Sequence, residues 1–218
     1  MNIPKIIQVI SIADFTRLLF RALLPAGLIY VAITGLMLLT GFDMDQILRD
    51  PAQYHQESSL IGLVSNLGVW FWVASATLAL FGAMAIRRTN SVDDGNLFLL
   101  LGVLSLLLAI DDLYMIHDRF IDERICYAVY ALILIAALVR HHREILQVNP
   151  TAFLAAGTLM GLSLFTDLVQ NYIPVGYWTT QAFEEGFKFC GGAAWLYFIV
   201  QLVSSLYPDP QEGYQGSV

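Results

Sequence analysis

Six long apolar blocks dominate the chain: Leu18 to Thr40, Leu60 to Ile86, Asn96 to Ile116, Ile125 to Val139, Thr151 to Val169 and Ala182 to Leu206. A hydrocarbon core about 30 Å thick is crossed by roughly 20 residues of helix, and most of these blocks reach that length. They predict an all-α polytopic membrane protein with six transmembrane helices. The block from Ile125 to Val139 is short, so its helix is expected to borrow flanking residues. A hydrophobic fraction of 57% against a charged fraction of 13% is far from the usage of a soluble domain. The apolar blocks lack the alternating polarity of about ten residues that barrel strands show.

The first block is too long for a signal-peptide core and is read as a retained helix. Residues 3–15, in which Lys5, Gln8 and Asp14 interrupt apolar residues, are a candidate interfacial helix lying on the membrane. Residues 1–207 are read as one six-helix domain, followed by a flexible cytoplasmic tail, 208–218, rich in Pro, Gly and polar residues. With an even number of spans, Lys5, Arg17, Arg21, Arg87, Arg88, Arg140 and Arg143 fall on one side, and Arg49, Arg119 and Arg124 on the other. The excess of basic residues marks the first side as cytoplasmic, which gives an N-in, C-in protein of the cell membrane. The formal charge of −7 arises largely from acids on the opposite side and does not point to nucleic acid.

In this topology the outer ends of the third, fifth and sixth spans carry most of the intramembrane ionisable groups. A charge within the bilayer costs several kcal/mol unless it is paired, so these residues are functional candidates. The third span ends in Asp111, Asp112, Tyr114, His117 and Asp118. On a continuous helix Asp111, Tyr114 and Asp118 share a face roughly 60° wide, while Asp112 points towards another helix or Ser105. The fifth carries a polar stripe of Ser163, Thr166, Asp167, Gln170 and Asn171, for which hydrogen bonding between helices is an equal explanation. The sixth begins with Gln181, Glu184, Glu185 and Lys188 within about 100° of arc, continued inward by Gly192 and Trp195. Glu184 and Lys188 have the spacing and order of an i, i+4 ion pair.

Asp111, His117, Asp167 and Glu184 are therefore the candidate metal ligands, and Glu184, Glu185 and Lys188 the candidate catalytic residues. An oxygen-rich set with one imidazole suits a divalent cation such as magnesium, manganese or calcium better than zinc. The corresponding function is a metal-dependent intramembrane hydrolase acting on a membrane lipid or membrane peptide. The competing readings are a cation-binding or proton-coupled carrier and a non-catalytic subunit of a membrane complex with other subunits as partners.

The Glu-Glu-x-x-Lys pattern of Glu184, Glu185 and Lys188 resembles the first motif of a branch of the CAAX-type intramembrane proteases, which implies paired glutamates activating water. In that superfamily further helices with Phe-x-x-x-Glu or His-x-x-x-Asp follow the motif, whereas here it lies in the last span. The seven-helix ceramidase-like hydrolases need a His-x-x-x-His pair, which the chain lacks. His141 and His142 are read as interfacial residues among arginines, and Cys126 and Cys190 as small apolar residues in or near spans. The loop from Gly41 to Ser59, with Asp43, Asp45, Asp50, His55 and Glu57, is either a solvated connection or an acidic funnel above the cluster.

Overall fold

The computed structural model describes residues 24–48, 51–58, 60–89, 95–169, 172 and 176–207, with residues 16, 20 and 23. The interfacial helix expected over 3–15, the tail 208–218, Lys5, Arg17, Arg21, Arg49, Gln170, Asn171 and the side chain of Asp118 lie outside them. Every regular element described is helical. The chain divides into two compact units, residues 1–61 and 62–218, each described by itself.

In the first unit, α1 covers Leu24–Leu39, 16 residues. At 1.5 Å per residue this stretch is about 24 Å long. Thr40 ends it: its N–H reaches the Leu36 and Met37 carbonyls, its hydroxyl donates to Met37, and Gly41 turns away at φ 94°. Two short helices follow, α2 (Met44–Leu48) and α3 (Pro51–Tyr54). The Gln46 side chain reaches back to the Asp43 N–H, as in a capping box. Pro51 opens α3, where its missing N–H leaves no bond unmade.

Among the described residues, five helices are long and apolar enough to cross a membrane, and all five lie in the second unit. They are α4 (Leu63–Thr89), α5 (Asn96–Tyr114), α7 (Glu123–Val148), α8 (Pro150–Val169) and α9 (Tyr177–Ser204). The one-turn helix α6 (Ile116–Arg119) joins α5 to α7. The short fourth block does borrow its flanks: Asp122 caps α7 by accepting from the Arg124 N–H, and the helix runs on to Val148. Its regularity breaks at His141 (φ −126°, ψ 23°). Of the histidine pair, His142 is exposed and His141 is buried, with Nδ1 3.0 Å from Glu144.

Tight packing here is steric. A Cβ on Gly82 would lie 2.5 Å from the Phe98 ring, and one on Gly102 would lie 2.8 Å from Leu80, so α4 and α5 approach through reciprocal glycines. The core between α4, α5 and α9 holds Trp72, Ala79, Leu97, Leu101, Phe198 and Ile199. From α8, Phe153 joins Trp195 and Phe198 with ring centroids 5.9 and 5.2 Å away. A single non-helical residue, Asn149, separates α7 from α8. Its side-chain oxygen caps α8 at the Ala152 N–H, and its amide donates to Gln201 on α9 at 2.7 Å. Away from that junction α7 packs chiefly on α5, and α8 on α9.

Candidate functional site: a polar-ended cavity within the helices

The alternating directions of the five long helices bring the C-terminal ends of α5 and α8 to the same end of the unit as the N-terminal ends of α4, α7 and α9. There they enclose a cavity of about 280 Å³. Asp111, Asp112, His117, Asp167, Glu184 and Lys188 line it, so the three polar helix ends singled out in the sequence do converge. The rest of its wall is mainly apolar, including Leu104, Leu108, Leu134, Met160 and Trp195.

Two hydrogen-bonded groups organise the polar end. Asp111, 4% exposed, accepts from the His117 backbone N–H at 2.9 Å and meets His117 Nδ1 at 2.8 Å through the same oxygen. The Tyr130 side chain, from α7, lies beside Asp111 on the cavity wall. This geometry depends on Met115, which ends α5 in the left-handed region (φ 51°, ψ 49°) and turns the chain so that His117 folds back over the last turn. Tyr114, still within α5 and one turn after Asp111, is 60% exposed and is not on the cavity wall; the break at Met115 displaces the residues after it. The His117 ring also packs beside Tyr127, with centroids 5.9 Å apart.

The second group is built on Asp112, which points to other helices and not to Ser105. Its Oδ2 accepts from Trp72 Nε1 of α4 at 2.9 Å, and its Oδ1 lies 3.5 Å from Lys188 Nζ of α9. Lys188 also meets Glu185 one turn earlier at 3.3 Å. The ammonium is thus shared by Asp112 and Glu185, whereas the spacing alone pointed to Glu184. Glu185 is at the edge of the site as a partner of Lys188, and Glu184 is on the cavity wall. Ser105 lies deeper, donating to the Leu101 carbonyl and accepting from Trp195 Nε1 at 2.9 Å.

Of the fifth-span stripe, Ser163 and Asp167 line the cavity, and the Thr166 hydroxyl returns to the Leu162 carbonyl of its own helix. The cavity wall contains four carboxylates, one ammonium and one imidazole. Among the described residues no three His, Cys, Asp or Glu side chains are gathered closely enough to hold a metal ion. Trp72, Tyr127 and Tyr130 are site residues that the sequence reading missed, because aromatic residues in apolar spans carry no spacing signal of their own. Cys126 is buried beside Tyr130, and Cys190 is exposed.

Fold and cavity together define a class: a multi-pass, all-helical protein of membrane character with ionisable side chains around a cavity between its helices. Residues 19–202, which contain the whole site, match the family described as "Domain of unknown function (DUF8692)", and the chain belongs to that family. No curated protein and no solved structure matches the chain.

Proposed function

We propose that this protein is an intramembrane hydrolase acting on a membrane lipid or membrane peptide whose scissile group enters the polar end of the cavity. One observation carries the reading: ionisable groups from α5, α8 and α9 meet His117 on a single cavity with an otherwise mainly apolar wall. Structural ion pairs alone do not call for such a space, whereas a substrate with an apolar body and a polar reacting group does.

In this reading His117 is the general base. Asp111 engages Nδ1, so Nε2 is the nitrogen through which a proton passes. Water attacks the scissile carbon and gives a proton to His117, which returns it to the leaving group. Lys188, held by Asp112 and Glu185, supplies positive charge for the developing oxyanion. A divalent cation is the second part of the proposal. In the metal-dependent form His117 Nε2, Asp167 and Glu184 would hold the ion, Asp111 orients the imidazole from behind, and Glu185 takes the proton in place of His117. Such an ion would lower the pKa of a bound water. The proposed topology is six spans with both ends in the cytoplasm, which puts the polar end of the cavity on the extracytoplasmic side, opposite Arg87, Arg88, Arg140 and Arg143.

The test uses protein purified in mild detergent without chelator, assayed against lipid esters, lipid amides and membrane peptides. Hydrolysis by the wild type that falls by about a hundredfold or more in His117→Ala and Asp111→Asn, with unchanged melting, is the expected result. A folded wild type that cleaves none of the panel overturns the hydrolase. Metal analysis beside Asp111→Ala and Glu184→Ala tests the second part: a near-stoichiometric divalent ion lost in both supports it, and active metal-free protein overturns it.

A further inference from the structure

The cavity has a side entrance. Of the residues lining it, those on α4, α5 and α9 are buried or half-buried, whereas the exposed ones are Ala131 on α7 and Gly157, Gly161 and Leu164 on α8. Beyond Gly157 and Gly161 there is open space, with no atom within 4 Å of where a Cβ would stand. These glycines therefore serve no close helix approach, unlike Gly82 and Gly102. They are the low edge of a gap between α7 and α8, the outermost pair, of whose most apolar stretches only 17% and 22% are buried, against 44% for α5. Both helices are long and apolar enough to lie in a bilayer, so the gap faces acyl chains and not water.

Size and charge narrow the occupant. At about 280 Å³ the cavity is near the lower end of ligand pockets, roughly 300–1,000 Å³, too small to enclose a whole lipid. A head group and the first part of a chain fit, and the remaining chain must leave through an opening. Four carboxylates face one ammonium on the wall, and protonating His117 still leaves a formal excess of negative charge. In the metal-free form of the site a cationic head group offsets that excess, and an anionic one adds to it.

We infer that the α7–α8 gap is a lateral portal through which a single-chain amphiphile with a basic head group enters from the bilayer, head towards Asp167 and Glu184 and chain between Ala131 and Gly161. The inference rests on the proposed function for its purpose, since it names the substrate class of the same site, but its test reads binding and not turnover.

The intact protein is placed in nanodiscs with Trp70 and Trp178 changed to Phe, leaving the cavity tryptophans Trp72 and Trp195 to report. Dibrominated dodecylamine is titrated in as a quencher. Saturable quenching, reversed by dodecylamine and not by dodecanoate, is expected. Gly157→Leu and Gly161→Leu, which extend into open space and leave melting unchanged, should each weaken it by at least about tenfold. Non-saturable quenching overturns the bound amphiphile. Equal competition by dodecanoate overturns the basic head group, and unaltered affinity in both leucine variants overturns the portal. Saturable amine binding in a protein that hydrolyses nothing leaves this inference standing and removes only the hydrolase.

Discussion

Asp111 and Asp112 are adjacent in sequence but belong to different networks. Successive residues on a helix point about 100° apart, so one carboxylate turns to His117 and Tyr130 and the other to Trp72 and Lys188. The division was partly legible in the sequence: adjacent acids at membrane depth need separate partners, and the spacing left Asp112 to meet either another helix or Ser105. Its partners were not, because nothing in the spacing of Trp72 distinguishes it from the other apolar-face residues of the second block. Lys188 was likewise assigned to Glu184 by spacing, whereas a long, flexible ammonium goes where two carboxylates flank it. Trp72→Phe removes the one donor that α4 gives to Asp112. It should lower stability by about 1–3 kcal/mol, with a smaller loss when made in an Asp112→Asn background. Thermal melting of the four proteins of that cycle checks it, and additive losses would mean that the 2.9 Å contact contributes nothing measurable.

Among the elements, the one-turn helix α6 has the largest effect for its length. Periodicity predicted a third span running to Ile116, and the left-handed Met115 ends it two residues sooner. The sequence gives little sign of this, since methionine is not a residue that favours positive φ. Placement of His117 over Asp111 follows from that one backbone conformation. Met115→Gly, which adopts it without a Cβ penalty, should retain activity and melt at the same temperature or higher. Met115→Val, β-branched and disfavoured there, should reduce turnover as strongly as His117→Ala while the five long helices remain by circular dichroism. Full activity in the valine variant would separate the histidine from the chemistry. The long helices themselves were readable because length and apolarity define them. Their ends shifted by at most five residues, and by nine at the C-terminus of α7, where caps such as Asp122 and Asn149 replace hydropathy as the deciding factor.

For the whole molecule, the sequence led to three polar helix ends at one depth, and the fold makes them neighbours. That step was not legible, because depth follows from the position of a residue within its span while adjacency depends on which helices pack. Here reciprocal glycines bring α4 to α5, and the Phe153, Trp195 and Phe198 cluster holds α8 to α9. The proposed orientation makes its own prediction. In a Cys126→Ser, Cys190→Ser background, an impermeant maleimide added to intact cells should label a cysteine at Phe120, exposed beside α6, and should leave one at Arg88 unlabelled until the membrane is opened. The reverse pattern would put the polar end of the cavity in the cytoplasm.

Asn149 gives the outermost helix pair the mechanics of tongs. Its bond to Gln201 pins the pivot to α9, and the two arms are joined by one residue at that end only. Along an arm of 20 residues, about 30 Å, each degree of tilt moves the tip by roughly half an ångström. A few degrees, well within ordinary helix bending, therefore changes the width of the slit by about the thickness of a methylene, and it does so farthest from the pivot, where the carboxylates are.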